Sequence, residues 1–300
     1  MEEKVSVILV NYNGKSYNEK CIYSILQSSV KDKLQIVVVD NASTDESLTD
    51  LKLKWGQNSQ VCIIELDQNY GFSKANNEGI KWSLAHGINK FLLLNNDTEI
   101  EANTIEKMLE TERDEGCIVV PKVLYADRPD IIWCAGGEFS PVIRKPKQRG
   151  LNRMDHGQFD QNGNCEFANG CCLLLSKEIT DRIGLLDERF FLYYEDTEYS
   201  LRAIKNGVRI QYCADARVYH KVNGSTKGNE KPENAYYITR NWLQCNRMHL
   251  GKRFYLFCLY FLLNRMVWII LWSISGRKEM VTAVLKGIED FKQCRLGRIS

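Results

Sequence analysis

A run of apolar residues that ends in two amides and a carboxylate offers the most direct chemistry in this sequence. Residues 91–94 are Phe-Leu-Leu-Leu, and Asn95, Asn96 and Asp97 follow them. Such a run predicts a strand buried on both faces of a parallel sheet, and ligands bind beyond the carboxyl ends of these strands. Asp97 is therefore predicted to hold a divalent cation and, through it, a phosphate. The alternative is that the Asn-Asp pair caps a helix whose first turn contains Thr98, Glu99 and Glu101.

A second carboxylate, Asp40, ends another apolar run, residues 36–39. In that place it can accept a hydrogen bond from the N3–H of uracil or thymine, or from a ribose hydroxyl. Alternatively, Asp40 is a turn residue that precedes the turn and cap residues Asn41, Ser43 and Thr44. The turn interpretation describes the backbone, but it does not explain why two strands of one predicted sheet both end in Asp.

The segment 69–77, Asn-Tyr-Gly-Phe-Ser-Lys-Ala-Asn-Asn, joins the third predicted strand to its helix. Gly71 permits close approach of the backbone to a ligand, and the helix N-terminus supplies N–H donors for a diphosphate. The Gly-x-Gly-x-x-Gly spacing of dinucleotide-binding folds does not follow the first predicted strand. A nicotinamide-dependent enzyme is therefore disfavoured.

Two acidic residues, Glu195 and Asp196, directly follow the aromatic-rich residues 190–194. Aromatic walls can desolvate a carboxylate and raise its basicity, as a general base requires. Asp196 also stands where a helix is predicted to begin, so capping is an alternative that is compatible with catalysis. Glu198 and Arg202 lie four residues apart in that helix and predict a structural ion pair.

His220 ends a strand-like segment, residues 216–219, and a polar tract follows it over residues 221–226. A single histidine is usually a packed or surface residue. Here the strand end and the predicted metal-binding Asp97 favour a ligand, and neutral imidazole suits Mn²⁺ better than Mg²⁺. No role is assigned to His86, His156 and His249.

Apolar strands alternate with helices over the first hundred residues. Strands are predicted at 5–10, 34–39, 61–66 and 91–94, and helices at 17–28, from 43 or 45 to about 54, and at 73–85. This alternation predicts an α/β fold with a mostly parallel, doubly wound sheet whose polar loops gather on one edge.

The second half of the chain is less regular. Strands are predicted at 117–124, 131–134 and 208–213, residues 167–175 are again apolar, and helices are predicted at 197–206 and from Pro232 onward. Residues 141–165 are polar and predict a mobile loop that shapes a ligand site. We expect a catalytic domain at residues 1–230 and a helical region at residues 231–300.

The composition is that of a soluble globular protein, with 44% apolar and 26% charged residues in 300. The eleven cysteines are an odd number, are scattered and form no Cys-x-x-Cys pair. This pattern indicates neither a disulfide framework nor a zinc site and favours a reducing compartment. The N-terminus runs into a strand without a signal-peptide pattern, so we expect a cytoplasmic protein.

The most apolar stretch, residues 254–274, lies in a basic C-terminal segment. Residues 240–300 carry eleven Lys and Arg against three acidic residues, and Asn264 and Arg265 interrupt the apolar stretch. A central Arg is costly in a spanning helix, whereas a basic, Trp- and Tyr-rich helix suits the headgroup region of a membrane. An interfacial helix, or one packed on protein or in a homodimer, is favoured over a true span.

Taken together, these segments resemble the inverting family 2 glycosyltransferases of GT-A fold, and within them the bacterial rhamnosyltransferase-like branch. The resemblance covers about residues 4–250 and rests on these segments: Val7-Ile8-Leu9-Val10-Asn11-Tyr12-Asn13, residues 39–45 (Val-Asp-Asn-Ala-Ser-Thr-Asp), Asn69-Tyr70-Gly71-Phe72, Asn95-Asn96-Asp97, Tyr194-Glu195-Asp196, His220 and Tyr236-Tyr237-x-x-Arg240-Asn241. Each motif is weak alone, but their order is specific. The GT-A fold would place a mostly parallel central sheet between helices.

The resemblance implies a role for each matching residue. Asn11 and Asp40 would hold the base and ribose of a nucleotide-sugar donor, Asp97 and His220 would bind Mn²⁺ or Mg²⁺, and Asp196 would be the general base. The remaining predicted donor-binding residues are Asn13, Asn69, Gly71, Lys74, Asn76, Asn95 and Asn96. Glu195 joins Asp196 in the predicted catalytic pair.

One departure from the family pattern concerns the metal site. Many relatives have Asp-x-Asp where this chain has Asn95-Asn96-Asp97. A single carboxylate is a weaker anchor, so the site is expected to fill together with the donor diphosphate.

The predicted function is inverting transfer of a sugar, from thymidine diphosphate rhamnose or a uridine diphosphate sugar, to a glycan or lipid-linked glycan in bacterial surface polysaccharide synthesis. The expected location is the inner face of the cell membrane, with no nucleic-acid partner. One alternative is a nucleotidyltransferase that makes a sugar nucleotide, but residues 10–20 contain few of the Gly, Lys and Arg residues that a triphosphate-binding loop needs. The other is a non-catalytic glycan-binding protein.

Overall fold

A computed structural model describes residues 3–221 and 231–299. The first part of the chain alternates strands and helices as follows: β1 (Val5–Asn11), α1 (Asn18–Leu26), β2 (Leu34–Asp40), α2 (Ser47–Trp55), β3 (Val61–Glu65), α3 (Phe72–Ala85) and β4 (Lys90–Asn95). Each of these elements was predicted from the sequence, with bounds that differ by a few residues. The apolar runs succeed as predictors because both faces of these strands are buried.

The remainder of the chain is more varied. Its elements are β5 (Thr98–Ile100), α4 (Thr104–Glu115), β6 (Ile118–Tyr125), β7 (Arg128–Ala135), β8 (Gly137–Phe139), β9 (Pro146–Gln148), β10 (Gly163–Cys165), β11 (Cys172–Ser176), α5 (Lys177–Ile183), α6 (Glu195–Lys205), β12 (Ile210–His220), α7 (Pro232–His249), α8 (Phe254–Ile274) and α9 (Lys278–Lys292). The helical nature of the region after Pro232 agrees with the prediction.

A mixed, mostly parallel sheet forms the centre of the molecule, with the strand order β10-β12-β6-β11-β4-β1-β2-β3. Strands β4, β1, β2 and β3 are parallel, β11 pairs antiparallel with both β4 and β6, and β12 pairs parallel with β6. The register pairs Asn11 with Asp40 and Val10 with Asn95. The polar residues that end β1, β2 and β4 are thereby brought to one edge, as predicted.

Helices cover both faces of this sheet. On one face of the sheet, Val7 and Leu9 of β1 belong to a buried cluster that includes Cys21 of α1 and Met108 of α4. The opposite face packs Ile8 against residues of α3, α5 and α6. Gly79 lets α3 lie close to β1, because a Cβ at that position would come within 2.5 Å of Ile8.

The structure corrects two sequence-based expectations. The segment after Asp97 is not a capped helix: residues 98–100 form β5, which pairs with residues 218–220 of β12. The segment 141–165 is not wholly a loop, because β9 pairs with β8 and β10 pairs with β12. Within it, Asp155 and Asp160 accept hydrogen bonds from Lys122, a buried lysine of β6.

The C-terminal helices pack on one another and on the part of the chain that precedes them. Tyr236 of α7 donates a hydrogen bond to Asp290 of α9 (2.7 Å), and Met280 and Val284 of α9 are fully buried. Helix α8 buries only Phe257, Phe261 and Trp272, while most of its large apolar side chains are exposed. Of the described helices, the stretch Gly251–Ile274 alone is long and apolar enough to cross a membrane, with a mean hydropathy of 1.9.

Candidate active site

Asn11 and Asp40 form the buried centre of the sheet edge. The Asn11 amide donates to Asp40 Oδ1 at 2.6 Å and to Ser47 Oγ at 2.9 Å. The backbone N–H of Ser43 donates to Asp40 Oδ2 at 3.0 Å. Both side chains are almost fully buried, so they build the floor beneath the loop at 41–47. Their predicted contact with the nucleotide stays a prediction.

The loop after β2 is held by two further amides. Asn13, whose φ is 55°, accepts hydrogen bonds from the backbone N–H groups of Thr44 (2.7 Å) and Asp45 (3.2 Å). Asn41 donates to Asn69 Oδ1 at 2.9 Å and accepts from the N–H of Tyr70 at 2.8 Å. The loops after β2 and β3 are therefore tied together, and Asn69 also accepts from the N–H of Gly71 at 2.9 Å.

Gly71 directly precedes α3 and has a φ of 85°. This conformation lets its backbone approach Phe191 closely. A Cβ at Gly71 would lie 2.3 Å from the carbonyl oxygen of Phe191, which accepts a hydrogen bond from Phe72 N–H at 2.8 Å. Lys74 lies over the Tyr70 ring at 3.8 Å, and the buried Asn76 donates to the carbonyl of Phe72 at 2.9 Å. The segment 69–76 thus packs directly against the turn that precedes Asp196.

Asp97 and His220 meet beyond the ends of β4 and β12. The Oδ1 atom of Asp97 lies 3.2 Å from Nε2 of His220, and Trp133 contacts the imidazole edge-on with ring centroids 4.7 Å apart. Asn96 donates to Asn18 Oδ1 at 2.8 Å and to Asn11 Oδ1 at 3.3 Å. The N–H of Asn95 donates to the carbonyl of Cys171 at 2.9 Å. Asn95 and Asn96 therefore brace the end of β4 from which Asp97 projects.

The Asp97–His220 pair fits a divalent cation. Asp97 Oδ1 is buried without a hydrogen-bond partner among the described residues, and Nε2 of His220 is the ring nitrogen that lies beside it. Two ligands that bind one ion at right angles, each about 2.1 Å away, lie about 3 Å apart, close to the separation seen here. Within residues 3–221 and 231–299, no group of three or more His, Cys, Asp and Glu side chains is arranged for a metal. Oxygens of a bound diphosphate would have to complete the coordination.

Glu195 and Asp196 begin α6 inside a dry environment. Burial raises the pKa of both carboxyls, and the adjacent Asp196 adds to the effect on Glu195, whose pKa reaches about 8. Asp196 accepts hydrogen bonds from the backbone N–H groups of Gly170 (3.1 Å) and Thr197 (2.6 Å). Glu195 Oε2 has no partner in the described part of the chain. The donors favour the anion at Asp196, so Glu195 is the residue that holds a proton.

The turn before this pair is strained. Tyr193 and Tyr194 have φ values of 67° and 74°, which are costly for aromatic residues. Asn241 of α7 spans the turn, because its amide donates to the carbonyls of Leu192 and Tyr193, both at 2.9 Å. Asn241 was predicted only as part of a motif, because the sequence around it does not indicate that α7 reaches this turn.

A short segment, residues 169–171, joins the two halves of the site. Gly170 donates to Asp196, and the carbonyl of Cys171 accepts from Asn95 in the loop that carries Asp97. The general-base candidate and the metal-binding candidate are therefore connected through three residues. The confirmed ion pair of Arg202 with Glu198 (2.7 Å) lies further along α6 and stabilises the helix.

A cleft of about 940 Å³ opens beside Asp196. One wall comes from residues 138–153, and Tyr193, Tyr194 and Thr197 line the other side. The cationic residues that line it are Lys145, Lys147, Arg149 and Arg153. None of them was assigned an individual role from the sequence. The density of Lys and Arg in this segment was a visible signal, but its position next to Asp196 depends on the tertiary fold.

The sequence profile of the family described as "Glycosyl transferase family 2" matches residues 6–184. The match covers more than half of the chain and includes the three strand ends described above. The chain therefore belongs to glycosyltransferase family 2, and its class is that of a transferase in glycan or polysaccharide biosynthesis.

Two curated relatives cover most of the chain. The low-salt glycan biosynthesis hexosyltransferase Agl10 of Haloferax volcanii is 28% identical over 73% of this chain and 68% of its own length. The dTDP-rhamnosyl transferase RfbF of Shigella flexneri is 27% identical over 80% of this chain and 79% of its own length. Both similarities extend beyond the segment that the family profile matches.

Solved structures with the same fold include two glycosyltransferases. GalNAc-T7, crystallised with UDP, GalNAc and Mn²⁺, superimposes with a TM-score of 0.64 at 17% identity, over 82% of this chain and 48% of that one. S. aureus TarS 1-349 in complex with UDP gives a TM-score of 0.55 at 19% identity, over 81% of this chain and 65% of that one. The GT-A fold predicted from the sequence is confirmed.

Proposed function

We propose that this protein transfers a sugar from a nucleoside diphosphate donor to a hydroxyl of a glycan acceptor, with inversion at the anomeric carbon. The observation that carries the proposal is the environment of Asp196. Its carboxylate is partly buried, receives two backbone hydrogen bonds and faces a cleft large enough for a small-molecule acceptor. A base in that setting combines raised basicity with a fixed position.

In the proposed reaction, Asp196 accepts the proton of the acceptor hydroxyl. The acceptor oxygen forms a bond to the anomeric carbon from the face opposite the diphosphate, and the bond from that carbon to the diphosphate oxygen breaks with both electrons leaving on the diphosphate. Glu195, which keeps its own proton, adds no second negative charge beside the base. A single displacement of this kind inverts the configuration.

Asn11, Asp40, Asn13 and the segment 69–76 are proposed to shape the donor site at the edge of the sheet. Asp97 and His220 are proposed to hold Mn²⁺ or Mg²⁺ together with the donor diphosphate. When bound, the cation would supply positive charge to the leaving group. The relation to RfbF supports thymidine diphosphate rhamnose as the donor, and the fold shared with the UDP-bound TarS supports a uridine diphosphate sugar as the next candidate.

Calorimetry with uridine, thymidine, guanosine and adenosine diphosphates, each with and without Mn²⁺ or Mg²⁺, tests the donor site. We expect metal-dependent binding of one pyrimidine diphosphate. Asp97→Asn should weaken that binding, whereas Asp196→Asn should leave it intact and lower turnover by about 10²–10⁴-fold. Wild-type turnover by Asp196→Asn would refute the assignment of the base, and a folded protein that binds no nucleotide would favour a glycan-binding function.

We further propose that α8 lies on the cytoplasmic membrane surface. Only 11% of its most apolar window is buried, and Lys252, Arg253 and Lys278 flank it with positive charge. Deletion of residues 252–300 is a poor test because it would also remove α9, which packs against α7. Point substitutions on the exposed face separate the two roles.

The variant Leu259→Glu/Leu263→Glu places two charges on side chains that are 61% and 57% exposed. It should lose binding to anionic liposomes while its unfolding temperature stays near that of the wild type. The matched control, Leu53→Glu/Leu285→Glu, changes two leucines exposed to a similar degree elsewhere on the surface. Equal liposome binding by all three proteins would exclude the membrane role, and concentration-dependent self-association lost only in the α8 variant would favour a homodimer.

A further inference from the structure

The cleft beside Asp196 has a wall of uncompensated positive charge. Lys145, Lys147 and Arg153 are exposed on it, and none of them forms an ion pair with another described residue. Glu138, which faces Lys147 across the β8–β9 pair, is the acidic residue that shares this wall. The wall therefore keeps a net positive charge next to the proposed catalytic base.

Arg149 belongs to the same wall, but its guanidinium already makes contacts within the protein. Its Nε donates to the carbonyl of Ala135 at 2.7 Å, and its guanidinium lies 4.9 Å from the centroid of the Tyr212 ring. It fixes the backbone of the wall in place, whereas the other three cations extend from this fixed support. We call Lys145, Lys147 and Arg153 the cationic wall.

The cleft continues into the apolar surface of α8. Ile143 and Tyr194 line the cleft and also pack against the cluster of Trp242, Phe257 and Phe261. From this cluster the exposed side of α8 extends as a row of large apolar residues: Tyr255, Leu256, Leu259, Leu262, Leu263, Met266, Val267, Ile270 and Leu271. Asp196, the cationic wall and the side chains that lead to the apolar side of α8 thus line one cleft.

We propose that the cationic wall binds the phosphate or diphosphate group that joins the acceptor sugar to its lipid. The inference rests on the proposed transfer reaction and names the chemistry of its acceptor. A lipid-linked sugar combines a reactive hydroxyl, a negative charge and an apolar chain, and the protein presents Asp196, the cationic wall and the apolar side of α8 around one cleft. Lys and Arg in such a cleft form charge-assisted hydrogen bonds with phosphate oxygens.

The cleft is large enough for the sugar and phosphate of such an acceptor. Its volume of about 940 Å³ lies at the upper end of small-molecule sites, which span about 300–1,000 Å³. Asp196 and the cationic wall both line the cleft, so one ligand can reach both. A preceding transfer of a sugar or sugar phosphate to a lipid phosphate must supply this acceptor.

Farnesyl diphosphate in metal-free buffer is a suitable probe, because the proposed metal-dependent donor site cannot then capture its diphosphate. Farnesol has the same chain without charge, and inorganic pyrophosphate has the charge without the chain. We expect the wild type to bind farnesyl diphosphate at least ten-fold more tightly than either. Replacing the three cations of the wall with Gln should weaken binding of farnesyl diphosphate by about 10- to 100-fold.

The matched control replaces three exposed lysines far from the cleft, Lys4, Lys31 and Lys205, with Gln. It changes the net charge equally, so it should bind farnesyl diphosphate as the wild type does. Equal binding by the cationic-wall variant and the wild type would overturn the proposal, as would an equal loss in the control. Pyrophosphate that binds as tightly as farnesyl diphosphate would overturn the lipid assignment.

Binding of the nucleoside diphosphates with Mn²⁺ to the same variants separates this inference from the proposed function. Unchanged nucleotide binding by the cationic-wall variant, together with weaker binding of farnesyl diphosphate, supports both. Unchanged binding of both ligands overturns the cationic wall alone. Absence of nucleotide binding in every variant overturns the transferase proposal, whatever the lipid probe does.

Discussion

Removal of the Asn241 side chain should lower catalytic activity, although the proposed role of this residue involves no contact with a substrate. Asn241 donates to the carbonyls of Leu192 and Tyr193, and the N–H of Arg240 Nε donates to its Oδ1 at 3.0 Å. This last bond fixes the amide so that Nδ2 faces the turn. Asn241→Ala therefore leaves two part-buried carbonyls without their donor.

The magnitude follows from these two bonds. A fully buried group that loses its partner costs about 1–3 kcal/mol. Because the two carbonyls are only part-buried, the variant should lose about 2–4 kcal/mol of unfolding free energy, the lower part of the sum for two such groups. The left-handed conformations of Tyr193 and Tyr194 cost about 1–3 kcal/mol each, and without Asn241 the turn relaxes toward a cheaper conformation. Because α6 begins at the end of this turn, Asp196 moves with it. A displaced base should lower kcat by about 10- to 1,000-fold.

Urea unfolding together with pH–rate profiles provides the assay. Burial raises the pKa of Asp196, so a relaxed turn that admits water should move the acid limb of kcat/KM to lower pH. Asn246→Ala is the matched control, since Asn246 is equally buried on α7 but donates only to the carbonyl of Trp242 at 3.0 Å. If Asn241→Ala loses stability but keeps the kcat and pH profile of this control, the positioning argument is refuted.

Two further predictions concern the same turn. The pKa of Glu195 is raised from 4.5 to about 8, so the wild type should lose stability as the pH rises between these values. Glu195→Gln cannot ionise and should flatten this dependence in thermal unfolding curves recorded from pH 5 to 9; an unchanged slope would contradict a proton on Glu195. Gly71→Ala adds a Cβ 2.3 Å from the carbonyl oxygen of Phe191 at a positive φ, so it should destabilise the fold by about 2–4 kcal/mol in urea unfolding, whereas Gly87→Ala, also at positive φ but in open space, should cost about 1 kcal/mol.

The sequence predicted best those parts of the fold that local patterns determine. The runs before Asp40 and Asp97 are buried on both faces, so their apolar residues are continuous and their ends are abrupt. The helix considered after Asp97 is absent, although Thr98 and Glu99 suit a first helical turn. Pairing of residues 98–100 with residues 218–220 decides the outcome there, and this distant partner leaves no local trace.

Side chains whose roles depend on distant elements were the hardest to predict. Lys122 lies in an apolar strand and reaches Asp155 and Asp160, which are more than thirty residues away. Asn241 reaches a turn 48 residues before it. In both cases the residue type is informative only when the partner is known. The acidic pair at residues 195 and 196 was easier to recognise because it directly follows an aromatic run, although distant residues such as Phe72 and Leu186 also line the space beside it.

The arrangement of the sheet makes the two substrate preferences separable in evolution. Strands β1 to β4 and the loops after them carry the side chains proposed for the donor, apart from His220 at the end of β12, whereas the cationic wall belongs to a segment that enters from β7, returns to β10 and is fastened by Lys122. Changes in the length or charge of residues 138–153 leave the register of β1, β2 and β4 untouched. A lineage with this architecture can therefore acquire new acceptors while it retains its nucleotide sugar, and a laboratory exchange of the segment would follow the same route.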